Sequence, residues 1–278
     1  MNHRDVTLGT GDAVRLSWAA TTDRGRRREN NQDAFLAEYP LFIVADGMGG
    51  HAGGEVASQS TVARMHELVA QGLVDGAGVE AAISRAVDDI MQHPEATDEG
   101  TGTTLTGVFL RAEDARWTSL NIGDSRVYLM RDGALAQVTT DHSVVQELIA
   151  SGRLSPEEAE AHPYSNVITR AVGVTEVSPP DYREIEVRVG DRFVVCSDGL
   201  TKELTDYGIL HFLTENAQAS AAVEAMLTAA LENGGRDNVT LIIVDVLEAT
   251  SEQSQGDIDA AAATVDPDQT ADSSPNEG

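Results

Sequence analysis

The chain reads as an α+β protein, a layered domain in which largely antiparallel sheets are covered by helices. Three observations point there. Short apolar or alternating runs recur along most of the sequence, several joined by two-residue turns. Helical periodicity comes in separate blocks. Strands and helices do not alternate regularly, which argues against a doubly wound parallel sheet.

The elements follow in order. Strand signals open at "VRLSWAA" (14–20), then "DAFLAEY" (33–39) and "LFIVAD" (41–46). Two helices come next: over 55–72, Val56, Val62, Met65, Leu68 and Val69 fall near one face, and the period returns over 78–91. A strand block follows at "GTTLTGVFL" (102–110), "ARWTSLNIG" (115–123), "SRVYLMR" (125–131) and "ALAQVT" (134–139). Asp132-Gly133 joins the last two as a hairpin dipeptide. Helical spacing reappears at 143–151. A short helix starts at Ser155, where "SPEE" supplies a cap, a first-turn proline and early acids. "YREIEVRV" (182–189) and "DRFVVCS" (191–197) are joined by a hairpin-like turn at Gly190-Asp191, and a helix over 218–231 precedes the last strand, "NVTLIIVDVL" (238–247). No repeat or linker interrupts the run. The expected organisation is a flexible N-terminus (1–13), one domain (14–247) and a tail (248–278).

Composition sets bounds. The 278 residues are 41% hydrophobic and 23% charged, enough for a sizeable core. No apolar run approaches the ~18 to 20 residues that span a bilayer, so no membrane insertion is expected. The opening "MNHRDVTLGTGDAV" lacks the apolar core of a signal peptide. A single cysteine, Cys196, excludes an intrachain disulfide, fits a reducing cytoplasm and reads as a buried strand residue. The formal net charge of −27 argues against nucleic acid. Glu248, Glu252, Asp257, Asp259, Asp266, Asp268, Asp272 and Glu277 lie in a final segment without Lys or Arg, which reads as a disordered acidic tail. Without them the body still carries about −19, and Lys202 is its only lysine.

The stretch "LFIVADGMGGHAGGE" (41–55) carries the chemical question. Gly47, Gly49 and Ala52 match a dinucleotide fingerprint between a strand and a helix. Yet Asp46 would set a carboxylate against the pyrophosphate, and no Walker-type loop is present. Three further aspartates stand beside strand ends and tight turns: Asp124 in "NIGDSRVY", Asp198 in "FVVCSDGLT" and Asp237 in "GGRDNVTLIIV". Carboxylates gathered together repel one another unless cations neutralise them. An all-oxygen set suits Mg²⁺ or Mn²⁺, whereas no Cys or His cluster suggests zinc.

Seven segments, in this order, resemble the metal-dependent protein serine/threonine phosphatases of the PPM, or type 2C, family in its bacterial branch: "RRRENNQDAF", "VADGMGGHAGGEVAS", "GTTLTGVFL", "NIGDSRVYLMRDG", "TTDHSVVQELIASGRLSPEEA", "VCSDGLT" and "GGRDNVTLIIVDV". The resemblance covers about residues 15 to 247. It implies a four-layer α-β-β-α sandwich of two antiparallel sheets flanked by helices. It implies that Asp46 bridges two Mn²⁺ or Mg²⁺ ions, that the Gly47 carbonyl binds one of them, and that Asp198 and Asp237 complete the first shell. Asp124 would serve a third, weaker metal site. Arg28 matches the phosphate-binding arginine, and Asp33 would orient metal-bound water. A metal-bridged hydroxide would then hydrolyse phosphoserine or phosphothreonine in protein substrates, opposing a bacterial Ser/Thr kinase, in a cytoplasmic monomer. The segment from about 143 to 172 stands where the family has a flap beside the active site.

Two positions depart from the family pattern. Gln32 stands where many members have Glu, and Met48 where eukaryotic members carry a histidine proposed as general acid. His51 is near in sequence but reads as a loop residue, which leaves protonation of the leaving group unassigned. The rival within the fold is a pseudophosphatase, a signalling or binding module that has lost its metal aspartates or phosphate arginine. A dinucleotide-binding oxidoreductase is the rival outside it.

Overall fold

Two antiparallel sheets face each other, each covered on its outer side by helices; the computed structural model describes residues 2–49, 52–93, 100–155, 158, 159, 162–174 and 179–249. The first sheet runs β1 (Asn2–Thr7), β2 (Ala13–Asp23), β12 (Val239–Glu248), β11 (Arg192–Cys196), β8 (Arg126–Arg131), β9 (Ala134–Gln137). The second runs β10 (Asp181–Glu186), β7 (Arg116–Ile122), β6 (Leu105–Arg111), β4 (Leu41–Met48), β3 (Asp33–Glu38), with the short β5 (Gly102–Thr103) pairing beyond Ala45 on β4. Helices α1 (Gly53–Gln71) and α2 (Gly76–Gln92) cover the second sheet. Helices α5 (Asp206–Glu215) and α6 (Ala219–Asn233) cover the first. The short α3 (Val144–Ala150) follows β9, and α4 (Asp198–Thr201) is a single turn after β11. The result is the four-layer α-β-β-α sandwich.

Alternation along the strands builds the central layer. Leu16 and Trp18 of β2, Phe193 and Val195 of β11, and Ile242, Val244 and Val246 of β12 face Phe42, Val44, Val108 and Trp117 across the sandwich. Trp18, Phe42, Trp117 and Phe193 form a chain of rings that crosses from sheet to sheet, at centroid distances of 5.4, 6.2 and 5.1 Å. Rings of this size bury about 150–250 Å² each and prefer such tilted and edge contacts. β4 and β12 are buried on both faces, so they read as continuous apolar runs rather than alternating ones.

The structure corrects the expected N-terminus. Residues 2–7 are not a flexible leader but an edge strand, paired with β2 from Asn2–Trp18 to Thr7–Ala13. Val6 and Leu8 are buried in the central layer, and Asp5 pairs with Arg15 directly across the ladder at 2.6 Å. At the other end β12 continues through Glu248, while most of the acidic tail lies outside the described residues.

The segment 143–172 is tied to the rest of the fold by backbone contacts. Ser143 bridges to Ile168, and Val172 exchanges two backbone hydrogen bonds with Thr103. The reading at Ser155 is supported by a reciprocal cap: the Ser155 N–H donates to the Glu158 carboxylate at 2.9 Å, and the Glu158 N–H to Ser155 Oγ at 3.3 Å.

Candidate metal centre

β3 and β4 place Asp33 directly opposite Asp46, near the end of the second sheet. Asp46 lies inside β4, which continues to Met48, rather than at a strand end. Its backbone is fully engaged: its N–H donates to Thr104 Oγ1 at 2.9 Å, and its carbonyl accepts from the Thr104 N–H and the Thr103 hydroxyl, each at 2.9 Å. Thr104 Oγ1 also shares a 2.8 Å hydrogen bond with Ser125 Oγ, the neighbour of Asp124, and so ties the two acidic segments together. The Gly47 N–H donates to the Gln32 carbonyl. A Cβ on Gly47 would lie 2.1 Å from the Gly54 carbonyl oxygen, so the start of α1 can approach only a glycine.

The first sheet supplies two more acids. Asp198 opens α4 immediately after β11, and Asp237 stands two residues before β12. These segments touch through Gly199, where a Cβ would fall 1.8 Å from the Asn238 carbonyl oxygen. That close approach explains why glycine follows the aspartate. Ser197 then joins the sheets: its hydroxyl donates to Asp33 Oδ2 at 2.8 Å and accepts from the Thr240 N–H at 3.0 Å. Asp124 lies in the turn between β7 and β8, where the Gly123 N–H donates to His142 Nδ1.

Arg28 reaches this cluster from the loop after β2. Its Nε lies 2.7 Å from Asp237 Oδ1 and its Nη2 2.8 Å from Oδ2, a two-pronged clasp. The loop is tied down by Asn238, whose amide donates to the carbonyls of Arg24 and Asn30 and whose Oδ1 accepts from the Gln32 N–H. Lys202 completes the arrangement, with Nζ 2.5 Å from Asp198 Oδ2 and 3.0 Å from Asp237 Oδ2.

The electrostatics divide the acids into two groups. Burial, reinforced by Asp33, Asp198, Asp124 and Asp237, pushes the Asp46 carboxyl well above its ordinary value. Burial and the nearby Asp198 and Asp141 carry Asp124 to about 7. Burial carries Asp33 to about 6, even though hydrogen bonds from Thr240 and Ser197 oppose it. Asp237 goes the other way: burial pushes it up, but Lys202 and Arg28 together outweigh that and hold it below its usual range.

These residues fit divalent metal ions. Oδ1 of Asp33 and Oδ1 of Asp198 are buried and have no hydrogen-bond partner among the described residues, so two acceptor oxygens stand ready for a cation. The donor set is all oxygen, as hard ions prefer. As the side chains stand, however, no three acids, cysteines or histidines among the described residues are gathered closely enough to hold an ion. Lys202 instead contacts Oδ2 of Asp198, and Lys202 and Arg28 between them engage both oxygens of Asp237.

The structure brings together all the residues singled out in the sequence: Arg28, Asp33, Asp46, Gly47, Asp124, Asp198 and Asp237. His51 lies outside the described residues. Ser197, Asn238, Thr104 and Lys202 were not anticipated. Ser197 and Asn238 flank the "SDG" and "RDN" acids and could have been suspected from that position, whereas Thr104 and Lys202 carry no such signal.

The chain is also similar to known proteins. The family model for protein phosphatase 2C matches residues 22–234. The serine/threonine protein phosphatase PstP of Mycobacterium tuberculosis is 40% identical over 263 residues, which cover 91% of this chain and 49% of PstP. The chain thus spans about half the length of that relative. The serine/threonine phosphatase stp of Listeria monocytogenes is 32% identical over 237 residues, covering 81% of this chain and 93% of stp. Among solved structures, the catalytic domain of PstP in complex with two manganese ions superposes with a TM-score of 0.74 at 39% identity, covering 84% of this chain and 99% of that one.

Proposed function

Because the chain belongs to the protein phosphatase 2C family, we propose that it hydrolyses phosphoserine and phosphothreonine in proteins with bound Mn²⁺ or Mg²⁺. The observation that carries this reading is the convergence of five aspartates from five separate segments at one end of the sandwich, beside Arg28. Asp46 is the residue proposed to serve two ions, with the Gly47 carbonyl, Asp198 and Asp237 completing the set and Asp124 serving a third ion. Bound ions would supply a water of lowered pKa and neutralise charge on the phosphoryl group.

The chain's own residues do the rest. Arg28 presents a planar fork suited to two phosphoryl oxygens. Release from Asp237 would free that fork for substrate. Asp33, held by Ser197 through Oδ2, keeps Oδ1 available to orient a water. The catalytic unit would comprise residues 14–247 together with the N-terminal edge strand, and the flap, rooted at Ser143 and Val172, would border the site. Phosphoproteins modified by a Ser/Thr kinase are the substrate class. The one cysteine is buried in β11, in keeping with a reducing cytoplasm.

The direct test is phosphate release from a phosphothreonine peptide in Mn²⁺, Mg²⁺ or EDTA, with Asp46→Ala and Asp198→Ala alongside. Turnover in Mn²⁺ that EDTA and both substitutions abolish is the expected result. Folded protein inactive in every metal would leave a binding module on a phosphatase fold.

A further inference from the structure

Lys202 is the only lysine in 278 residues, and it lies inside the acid cluster. Its place is fixed from both sides by backbone contacts. Its N–H donates to the Asp198 carbonyl at 2.8 Å, and its own carbonyl accepts from Arg236 Nη2 at 2.7 Å. From that anchored backbone the side chain extends over α4, so that one ammonium contacts both Asp198 and Asp237. Arg28 clasps both oxygens of Asp237, sharing Oδ2 with Lys202. Asp198 keeps a buried Oδ1 with no partner among the described residues. The side chain is nevertheless 29% exposed, so part of it already borders water.

An ammonium 2.5 and 3.0 Å from two carboxylate oxygens and a divalent ion on the same oxygens exclude each other, by contact and by like charge. We propose that Lys202 is an internal counter-cation that holds Asp198 and Asp237 together in the metal-free protein and must swing away from them when a divalent ion binds. This rests on the metal-centre reading above. Lys202 is then a positioning residue with two opposed effects. It limits repulsion between the two acids before metal arrives, and it weakens metal binding by the energy needed to break its two ion pairs. The centre would load only where the free metal concentration is high enough to displace the lysine.

A lone lysine makes its own reporter. Limited acylation of amines, read peptide by peptide by mass spectrometry, reports Lys202 against the N-terminal amine as internal reference. In EDTA, Lys202 should be protected; saturating Mn²⁺, verified by calorimetry, should raise its rate severalfold relative to the N-terminus. The second measurement is Mn²⁺ binding to Lys202→Met, which keeps the length and removes the charge, with Lys202→Gln as the substitute if the first does not fold. We expect about tenfold tighter binding, equivalent to about 1.4 kcal/mol, together with a lower unfolding temperature in EDTA. Lys202→Arg should bind Mn²⁺ as weakly as the parent. If the parent binds Mn²⁺ and Asp198→Ala does not, yet Lys202 stays protected or Lys202→Met binds no tighter, the counter-cation idea fails and the metal centre stands. If the parent binds no Mn²⁺ at all, both fall together.

Discussion

Arg28 has two partners to serve with one guanidinium. Its Nε and Nη2 both engage Asp237, whereas the proposed chemistry needs the same fork on a phosphoryl group. A lysine there would keep the charge and lose the fork. Losing one charge-assisted hydrogen bond, worth roughly 1.5–3 kcal/mol, lowers the rate roughly 10- to 100-fold. Arg28→Lys should therefore reduce kcat/KM on a phosphothreonine peptide by about that factor, and Arg28→Ala by more; an Arg28→Lys enzyme with parental kcat/KM would remove Arg28 from phosphate binding. At this scale the sequence was informative where chemistry and turn geometry coincide. Asp46, Asp198 and Asp237 stood out because an apolar run lies beside each of them. Ser197, Thr104 and Asn238 did not, because their partners are distant in sequence: Asn238 bonds to Arg24 and Asn30, and Ser197 to Asp33. Lys202 was visible only as an oddity of composition.

Asn238 connects the residue to the element. It is buried at the start of β12, and its side chain makes three hydrogen bonds to the loop that carries Arg28 and leads into β3. Asn238→Ala would leave two carbonyls and one N–H without these partners, a loss of about 1–3 kcal/mol. Urea unfolding should show the midpoint lowered with an unchanged m-value, and kcat/KM should fall because Arg28 is no longer held in place. An unchanged midpoint would mean that the loop is organised by something else. Most other elements were readable to within a few residues, since apolar runs mark β3, β4, β8, β9, β11 and β12 directly. The hairpin expected at Gly190-Asp191, however, does not form: β10 pairs with β7 in one sheet and β11 with β12 and β8 in the other. β1 escaped because only Val6 of its residues is buried, so alternation never develops. α5 escaped for a related reason: Gly208 stands in its first turn, and only Ile209 and Leu213 of its residues are fully buried. Each is specified by what it packs against rather than by its own pattern.

The whole molecule resolves a conflict between its two halves. The sandwich needs the ends of both sheets to meet, and meeting brings Asp33, Asp46, Asp124, Asp198 and Asp237 together in a chain whose net charge is already −27. In the metal-free protein, Asp33 at about 6, Asp124 at about 7 and Asp46, also raised, bind protons more tightly than they do in the unfolded chain, where carboxylates titrate near 3.9. Between pH about 4 and about 7 the folded state therefore holds more protons than the unfolded state, and stability falls as pH rises. Asp237, shifted down by Lys202 and Arg28, exerts its effect below that window and leaves the slope intact. A bound divalent ion prefers the ionised carboxylates, so the stabilisation it confers should grow through the same range. Unfolding temperatures at pH 4.5, 5.5, 6.5 and 7.5 should thus decline in EDTA, while the increment from saturating Mn²⁺ increases. Asp124→Asn should flatten the decline in EDTA, which separates the cluster from the general negative charge of the surface. A flat or rising profile in EDTA would show that the acids are already relieved of one another, by Lys202 and Arg28 alone, before any metal arrives.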